Sequence, residues 1–287
     1  MSIDKKHFSE RWSEHRFISF DETPIFYRRY LTSQPLRGAV LILHGMGEHG
    51  GRYRELTEIL GELGLNGYVP DLRGFGQSGG KKGCLHRFED YFHDLNVVAR
   101  LAKEQSNNLS LFVLGHSYGG LVASSWLASG TQTHFQGLVL TSPNFGIAIH
   151  VPRWRHWLAI LGSYLAPDYT QHNRVDSNFL THDPKIYEQY KMDRFIHHQI
   201  SARLYLELVR QISMKNEIAR KLTLPTLVLQ AGNDRVVSKE ATIHFFEHLV
   251  SQDKQLEIFP DLYHEILNEK ERHSIFSKIS EWIRRHL

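Results

Sequence analysis

Two kinds of hydrophobic pattern alternate along this chain. Short apolar runs at 39–43, 111–114 and 137–141 lack polar alternation, as strands buried on both faces do; 225–230 reads likewise. Between them, apolar residues fall at helical spacing. Tyr53, Leu56, Ile59, Leu60 and Leu63 predict a helix over 52–63, and Tyr91, Phe92, Leu95, Val98, Ala99 and Ala102 predict another over 88–105. Helices are also expected over 121–128, 241–250 and 269–286, and strands over 68–70 and 255–259. Residues 16–20 and 25–30, split by Asp21-Glu22-Thr23-Pro24, read as an edge hairpin.

This alternation predicts an α/β fold with a mostly parallel central sheet and helices on both faces. It is interrupted once. From about 146 to 222 there is helical periodicity rich in aromatics, His and Arg, with no strand-like run. That stretch lies between two core strands, so it is expected to be an inserted helical cap over 146–222, on a core made of 1–145 and 223–287.

The run 111–114 stops at Gly115-His116-Ser117-Tyr118-Gly119-Gly120, and a helical pattern follows. Strand, G-x-S-x-G and helix form the nucleophile-elbow pattern, with the serine hydroxyl at the apex of a tight turn. The free N–H groups of the following helix would point back toward a developing oxyanion. At ordinary Gly and Ser usage such a pentapeptide arises by chance in a chain this long about one time in ten. A nucleophilic serine therefore also needs a base and an orienting acid elsewhere.

In an open parallel sheet these belong at the C-terminal ends of later strands. The strand 225–230 runs into Ala231-Gly232-Asn233-Asp234-Arg235, where Asp234 is the acid. The strand 255–259 runs into Pro260-Asp261-Leu262-Tyr263-His264, where His264 is the histidine. The chain order Ser117, Asp234, His264 is that expected for this architecture. Read singly, Asp234 is a turn or cap residue and His264 a surface histidine; their shared placement after the correct strands favours a triad. Asp261 is the less favoured stand-in for Asp234, being too near His264 in the chain.

Gly45-x-Gly47-x-x-Gly50 offers a rival reading. It follows a strand and opens a helix, and Asp71 ends the next strand, which imitates a dinucleotide-binding fingerprint. Against a nicotinamide oxidoreductase, Asp71 leads into a turn-rich Arg73-Gly74-Phe75-Gly76 stretch, and the later Ser, Asp and His would have no use. In a hydrolase the same loop supplies the second oxyanion donor. His44 and His49 lack the spacing of a metal-hydrolase set, so no metal and no organic cofactor is expected.

Composition narrows the class further. Net charge is +3 with scattered basic residues, which gives no case for nucleic acid. Cys84 is the single cysteine, consistent with a reducing compartment. The segment Met1-Ser2-Ile3-Asp4-Lys5-Lys6 lacks the apolar core of a secretory signal, and no apolar run is long enough to span a bilayer. A cytoplasmic protein is expected.

Several stretches resemble one family. His44-Gly45-Met46-Gly47-Glu48-His49-Gly50-Gly51-Arg52-Tyr53 and the elbow Gly115-His116-Ser117-Tyr118-Gly119-Gly120 resemble the signatures of the monoacylglycerol lipase and lysophospholipase group of α/β-hydrolases. The segment 71–78 is similar to that group's loop after the fourth strand, with Leu72 and Phe75 where histidine is usual. Residues 183–184 through 201–204 look like its cap. The resemblance implies Ser117, Asp234 and His264 as nucleophile, acid and base. It further implies an oxyanion hole from the backbone N–H groups of Met46 and Tyr118. Glu48, Arg52, His116 and Tyr190 would then lie near the polar head of the substrate.

The expected chemistry is ester cleavage through an acyl-enzyme on Ser117. Trp154, Trp157, Leu158, Leu161 and Leu165 fall on one face of a stretch over 151–165 with interleaved basic residues. That face suits an acyl chain or peripheral contact with a membrane surface; the plain alternative is packing on the core. A single-chain lipid ester, monoacylglycerol before lysophospholipid, is the expected substrate. A general carboxylesterase, a peptidase and a lipid-binding protein on an inactive hydrolase fold remain as alternatives. Oligomeric state is left open.

Overall fold

The computed structural model describes residues 11–131, 133–148, 153–172 and 177–287. Its strands are β1 (Trp12–Ile18), β2 (Pro24–Tyr30), β3 (Gly38–Leu43), β4 (Leu65–Pro70), β5 (Ser110–His116), β6 (Gly137–Thr141), β7 (Thr170–His172), β8 (Gln199–Ser201), β9 (Thr226–Ala231) and β10 (Lys254–Phe259). Eight of them form one sheet in the order β1-β2-β4-β3-β5-β6-β9-β10. The six from β4 to β10 in that order are parallel; β1 and β2 form the antiparallel edge hairpin.

The helices are α1 (Arg54–Gly61), α2 (Glu89–Gln105), α3 (Tyr118–Ala128), α4 (Arg153–Leu165), α5 (Pro184–Met192), α6 (Ala202–Ser213), α7 (Lys215–Ala219), α8 (Lys239–His248) and α9 (Arg272–His286). The apolar runs explain how they are layered. Successive side chains of a strand point to opposite faces. In β3, Ala39, Leu41 and Leu43 meet Leu95 and Val98 of α2, Leu121 of α3 and Phe245 of α8 in one core cluster. Val40 and Ile42 meet Leu56 and Leu60 of α1 and Ile275 and Ile279 of α9 in the other. Each such side chain removed from water contributes roughly 1.5–3 kcal/mol, so neither face of these strands tolerates a polar residue cheaply. The architecture is an α/β fold with a mostly parallel central sheet and helices on both faces, as the alternation predicts.

From β6 to β9 the chain leaves the large sheet and carries α4 to α7. Here the expectation of an all-helical stretch needs correction: β7 and β8 form a separate antiparallel pair, Thr170 opposite Ser201 and His172 opposite Gln199. Three-residue strands are too short to show a period of two, and their pairing joins segments about thirty residues apart. The closing helix also starts later than expected, at Arg272, because a 3₁₀ turn (Ile266–Asn268) comes first.

Core loops hold this segment at several points. The Glu269 carboxylate, fully buried, accepts from the N–H groups of His182 and Tyr263 at 2.8 Å each, and meets the His182 ring at 2.9 Å. The N–H groups of Ser201 and His197 donate to the carbonyls of Gly83 and Gly47, at 2.8 and 2.9 Å. Among the described residues no helix is long and apolar enough to cross a membrane. The readings made on Met1 to Lys6 and on Val151 and Pro152 fall outside the described residues.

Candidate active site

Ser117 lies between β5 and α3 with φ 51° and ψ −118°. A non-glycine residue in that region costs on the order of 1–3 kcal/mol, so neighbours must hold it. Its N–H donates to the Thr141 carbonyl at 2.9 Å, and its own carbonyl accepts from Gly120 and Asn144, both at 3.0 Å. The turn also requires α3 to press against β3. A Cβ on Gly119 would fall 2.3 Å from the Leu43 carbonyl oxygen and 2.5 Å from that of His44, so only glycine fits.

His264 Nε2 is 2.8 Å from Ser117 Oγ, and His264 Nδ1 is 2.8 Å from Asp234 Oδ2. A carboxylate only accepts, so Nδ1 carries the proton and Nε2 is left to accept from the serine hydroxyl. The second oxygen, Asp234 Oδ1, accepts from the N–H groups of Val236 and Val237, both at 2.9 Å. Burial would raise the Asp234 carboxyl; the His264 imidazole and those two N–H groups outweigh it and hold the group below the usual carboxylate range. Burial likewise works against an imidazolium at His264, but the adjoining Asp234 carboxylate dominates and raises it above the ordinary imidazole value. Two backbone bonds, Gly232 N–H to the Phe259 carbonyl and Asn233 N–H to that of Leu262, tie the loop of the acid to the loop of the histidine. Asp261, the alternative acid, is exposed.

The loop after β3 runs beside the serine. A Cβ added to Gly45 would lie 3.4 Å from Ser117 Cβ, which puts Met46 at the edge of the site. Tyr118, first residue of α3, begins a helix whose leading N–H groups have no intrahelical acceptor. Glu48 and Arg52, expected near the substrate head, engage each other. Glu48 Oε1 accepts from the Gly45 N–H and the Tyr53 hydroxyl, both at 2.6 Å, while Oε2 pairs with Arg52. Arg52 also grips Glu265 with two N–H groups, at 2.9 and 2.6 Å. Burial opposes ionisation of Glu48; the Arg52 guanidinium overrides it and pushes the carboxyl down to about 2. Tyr190 on α5 lies over Arg52, with the guanidinium 5.1 Å from its ring centre. His116 is turned inward, with Nδ1 3.0 Å from the Thr141 carbonyl. Burial, then the neighbouring His264, bring it down to about 4, so it is neutral at pH 7.

Asp71, the acid of the dinucleotide reading, is fully buried and both of its oxygens are engaged. Oδ1 accepts from Arg28 at 2.6 Å and from the Gly50 N–H at 2.8 Å, and Oδ2 from the Gln77 N–H at 2.8 Å. Buried to 0% exposure, the carboxylate has no face open to a ribose. The loop histidines are structural as well. His44 Nε2 accepts from the Leu72 N–H at 2.9 Å, and His49 Nε2 reaches Asp193 beyond α5 at 2.8 Å. Among the described residues no group of three His, Cys, Asp or Glu is placed to hold a metal ion.

Helix α4 settles one of the two readings of its apolar face. Trp154, Trp157, Leu158, Leu161 and Leu165 are 54–76% exposed, and Tyr164 is 78% exposed, so the face does not pack on the core. The side chains of the basic residues before and between them, Arg153, Arg155 and His156, fall outside the described residues. Nothing in the sequence pattern singles out Glu265, Asp193 or His197. Glu265 adjoins His264, and that adjacency was the one available signal. Nothing in the chain order indicates that residues 193–197 return to the loop after β3.

Known proteins resemble this chain over most of its length. A family profile described as serine aminopeptidase, S33, matches residues 34–271. A monoacylglycerol lipase of Mycolicibacterium smegmatis is 30% identical over 276 residues, covering 96% of this chain and 98% of that one. A phospholipase of Bacillus subtilis, YtpA, is 32% identical over 238 residues, covering 83% and 91%. The crystal structure of a monoacylglycerol lipase from Paleococcus ferrophilus superposes with a TM-score of 0.84 at 27% identity, covering 92% of this chain and 99% of that one.

Proposed function

The chain belongs to the serine aminopeptidase (S33) family of α/β-hydrolases, and from that premise we propose that it hydrolyses carboxylic esters of single-chain lipids, monoacylglycerols first. The observation that carries the reading is the unbroken chain of hydrogen bonds from Ser117 through His264 to Asp234. His264 takes the hydroxyl proton as Ser117 attacks the ester carbonyl. The N–H groups of Met46 and Tyr118 hold the oxyanion. His264 then protonates the departing alcohol, and water repeats the sequence on the acyl-enzyme, releasing a fatty acid and glycerol. Asp234 keeps the imidazole in the tautomer that can accept, and stabilises the imidazolium. Glu48, Arg52, His116 and Tyr190 border the polar end of the site.

The lipid assignment draws on the similarity to the mycobacterial monoacylglycerol lipase and on the exposed apolar face of α4. Residues 146–222 act as the cap, and that face makes peripheral contact with a lipid surface. The free Cys84 accords with work in the cytoplasm. A second reading, lysophospholipase, rests on the similarity to the Bacillus phospholipase. The deciding experiment compares wild type and Ser117→Ala on monooleoylglycerol, lysophosphatidylcholine, p-nitrophenyl acetate and leucine p-nitroanilide. The reading expects the monoacylglycerol to be hydrolysed with the highest kcat/KM and the variant to be inactive. A preference for the acetyl ester or the anilide removes the lipid assignment, and equal rates for the two proteins remove the serine mechanism.

A further inference from the structure

Ser117 is held by backbone hydrogen bonds to Thr141, Asn144 and Gly120, and Asp234 by the N–H groups of Val236 and Val237. His264 and Met46 come from loops more than two hundred residues apart in the chain. The Arg52 side chain joins them. Arg52 donates two parallel hydrogen bonds to Glu265, the residue that follows the histidine. The same guanidinium pairs with Glu48, whose other oxygen holds the Gly45 N–H one residue before Met46. Both carboxylates are buried, with Glu48 4% and Glu265 5% exposed, and the Arg52 side chain between them is 10% exposed. Two buried carboxylates facing one planar fork make a rigid joint, because a guanidinium that leaves either one strips a buried charge of its counterion.

We propose that Arg52 is a positioning residue which, through Glu265 and Glu48, sets the distance between the general base and the oxyanion loop. The proposal rests on the serine-hydrolase reading and deepens it. It also changes what Arg52 and Glu48 are for. Their charges are spent on each other and on Glu265, so substrate selectivity does not originate in them. Tyr190, lying on the outer face of the guanidinium, brings α5 of the cap onto the same joint.

Electrostatics adds a readout. The charged groups acting on His264 include Asp234, Glu265 and Glu48; the His116 ring lies 5.2 Å away, and Arg52 is bound to both glutamates. Two carboxylates against one guanidinium leave a local excess of negative charge, which favours the imidazolium. Replacing Glu265 by Gln keeps the shape and removes one charge, so the acid limb of the kcat/KM profile moves to lower pH. The shift is about 0.5–1 unit for one charge removed at ~6–12 Å and an effective dielectric of ~40.

The test uses the full chain with two substrates: monooleoylglycerol, and p-nitrophenyl butyrate, which has no glycerol head. Arg52→Lys keeps the charge and loses the fork. It is expected to lower kcat by ~10–100-fold on both substrates with KM changed less than about threefold, the size of effect that follows a misplacement near 1 Å. Glu265→Gln is expected to lower kcat on both and to shift the acid limb as stated. Arg52→Lys with kcat within twofold of wild type overturns the proposal. So does a KM that rises for the glycerol ester alone, since that is the signature of a head-group ligand. Should Arg52→Lys fail to fold by circular dichroism, Glu265→Gln decides, and an unmoved acid limb counts against the inference. If Ser117→Ala hydrolyses both esters as fast as wild type, it is the enzymatic reading that falls, whatever Arg52 does.

Discussion

Consider Asp234→Asn. The carboxylate has two oxygens with different tasks: Oδ2 accepts the His264 Nδ1 proton at 2.8 Å, and Oδ1 accepts two backbone N–H groups at 2.9 Å. An amide offers one acceptor and one donor. If its oxygen stays on the backbone pair, its NH₂ faces Nδ1, and the imidazole must carry its proton on Nε2. That nitrogen then has nothing with which to accept from Ser117. If the amide flips, the NH₂ abuts two buried N–H donors at about 1–3 kcal/mol each, so the first arrangement prevails. The variant therefore folds but holds the wrong tautomer. In serine proteases of the same geometry this exchange costs about 10⁴-fold in kcat, which is about 5.5 kcal/mol of transition-state stabilisation. The assay is p-nitrophenyl butyrate hydrolysis at pH 8, with thermal unfolding as the control. The expected result is a loss of ~10³–10⁴ in kcat, KM within a few-fold, and a melting temperature near that of wild type. A correctly folded variant retaining a tenth or more of wild-type kcat would show that Asp234 does not set the tautomer, and the triad would have to be abandoned.

Three further outcomes are expected. Gly119→Ala places a methyl within 2.5 Å of two carbonyl oxygens, so α3 must move off β3; a drop of several degrees in melting temperature together with loss of esterase activity is expected, and an unchanged protein would contradict the elbow geometry. His116 stays neutral in the folded state down to about pH 4, whereas the unfolded chain protonates near 6.5. Its contribution is therefore present above pH 6.5 and lost as pH falls toward 4, so His116→Gln should shrink the difference in urea-unfolding stability between pH 7.5 and pH 5 by about 2 kcal/mol. Replacing Trp157, Leu161 and Leu165 of α4 by Ser should leave melting temperature and p-nitrophenyl acetate hydrolysis unchanged while weakening sedimentation with phosphatidylcholine vesicles by tenfold or more; unchanged sedimentation would sink the lipid-surface role of that face.

How much of this was legible in the chain depends on the range of the interaction that decides it. The doubly buried strands could be read because β3 and residues 111–114 of β5 are apolar at successive positions. The elbow was legible for a steric reason: the turn at Ser117 admits nothing larger than glycine at 119. Asp234 and His264 could be located because a parallel sheet delivers the ends of all its strands to one rim, which turns order in the chain into proximity in space. Other features were decided only by tertiary contact. The pairing of β7 with β8 joins two segments too short to carry a pattern. The exposure of the α4 face has no local cause, because the same spacing of Trp and Leu serves equally well against a core. The engagement of Asp71 by Arg28, and the joint of Arg52 with Glu48 and Glu265, are partnerships between charges. A charge in a sequence has no period and no preferred neighbour until the backbone has brought its counterpart within reach.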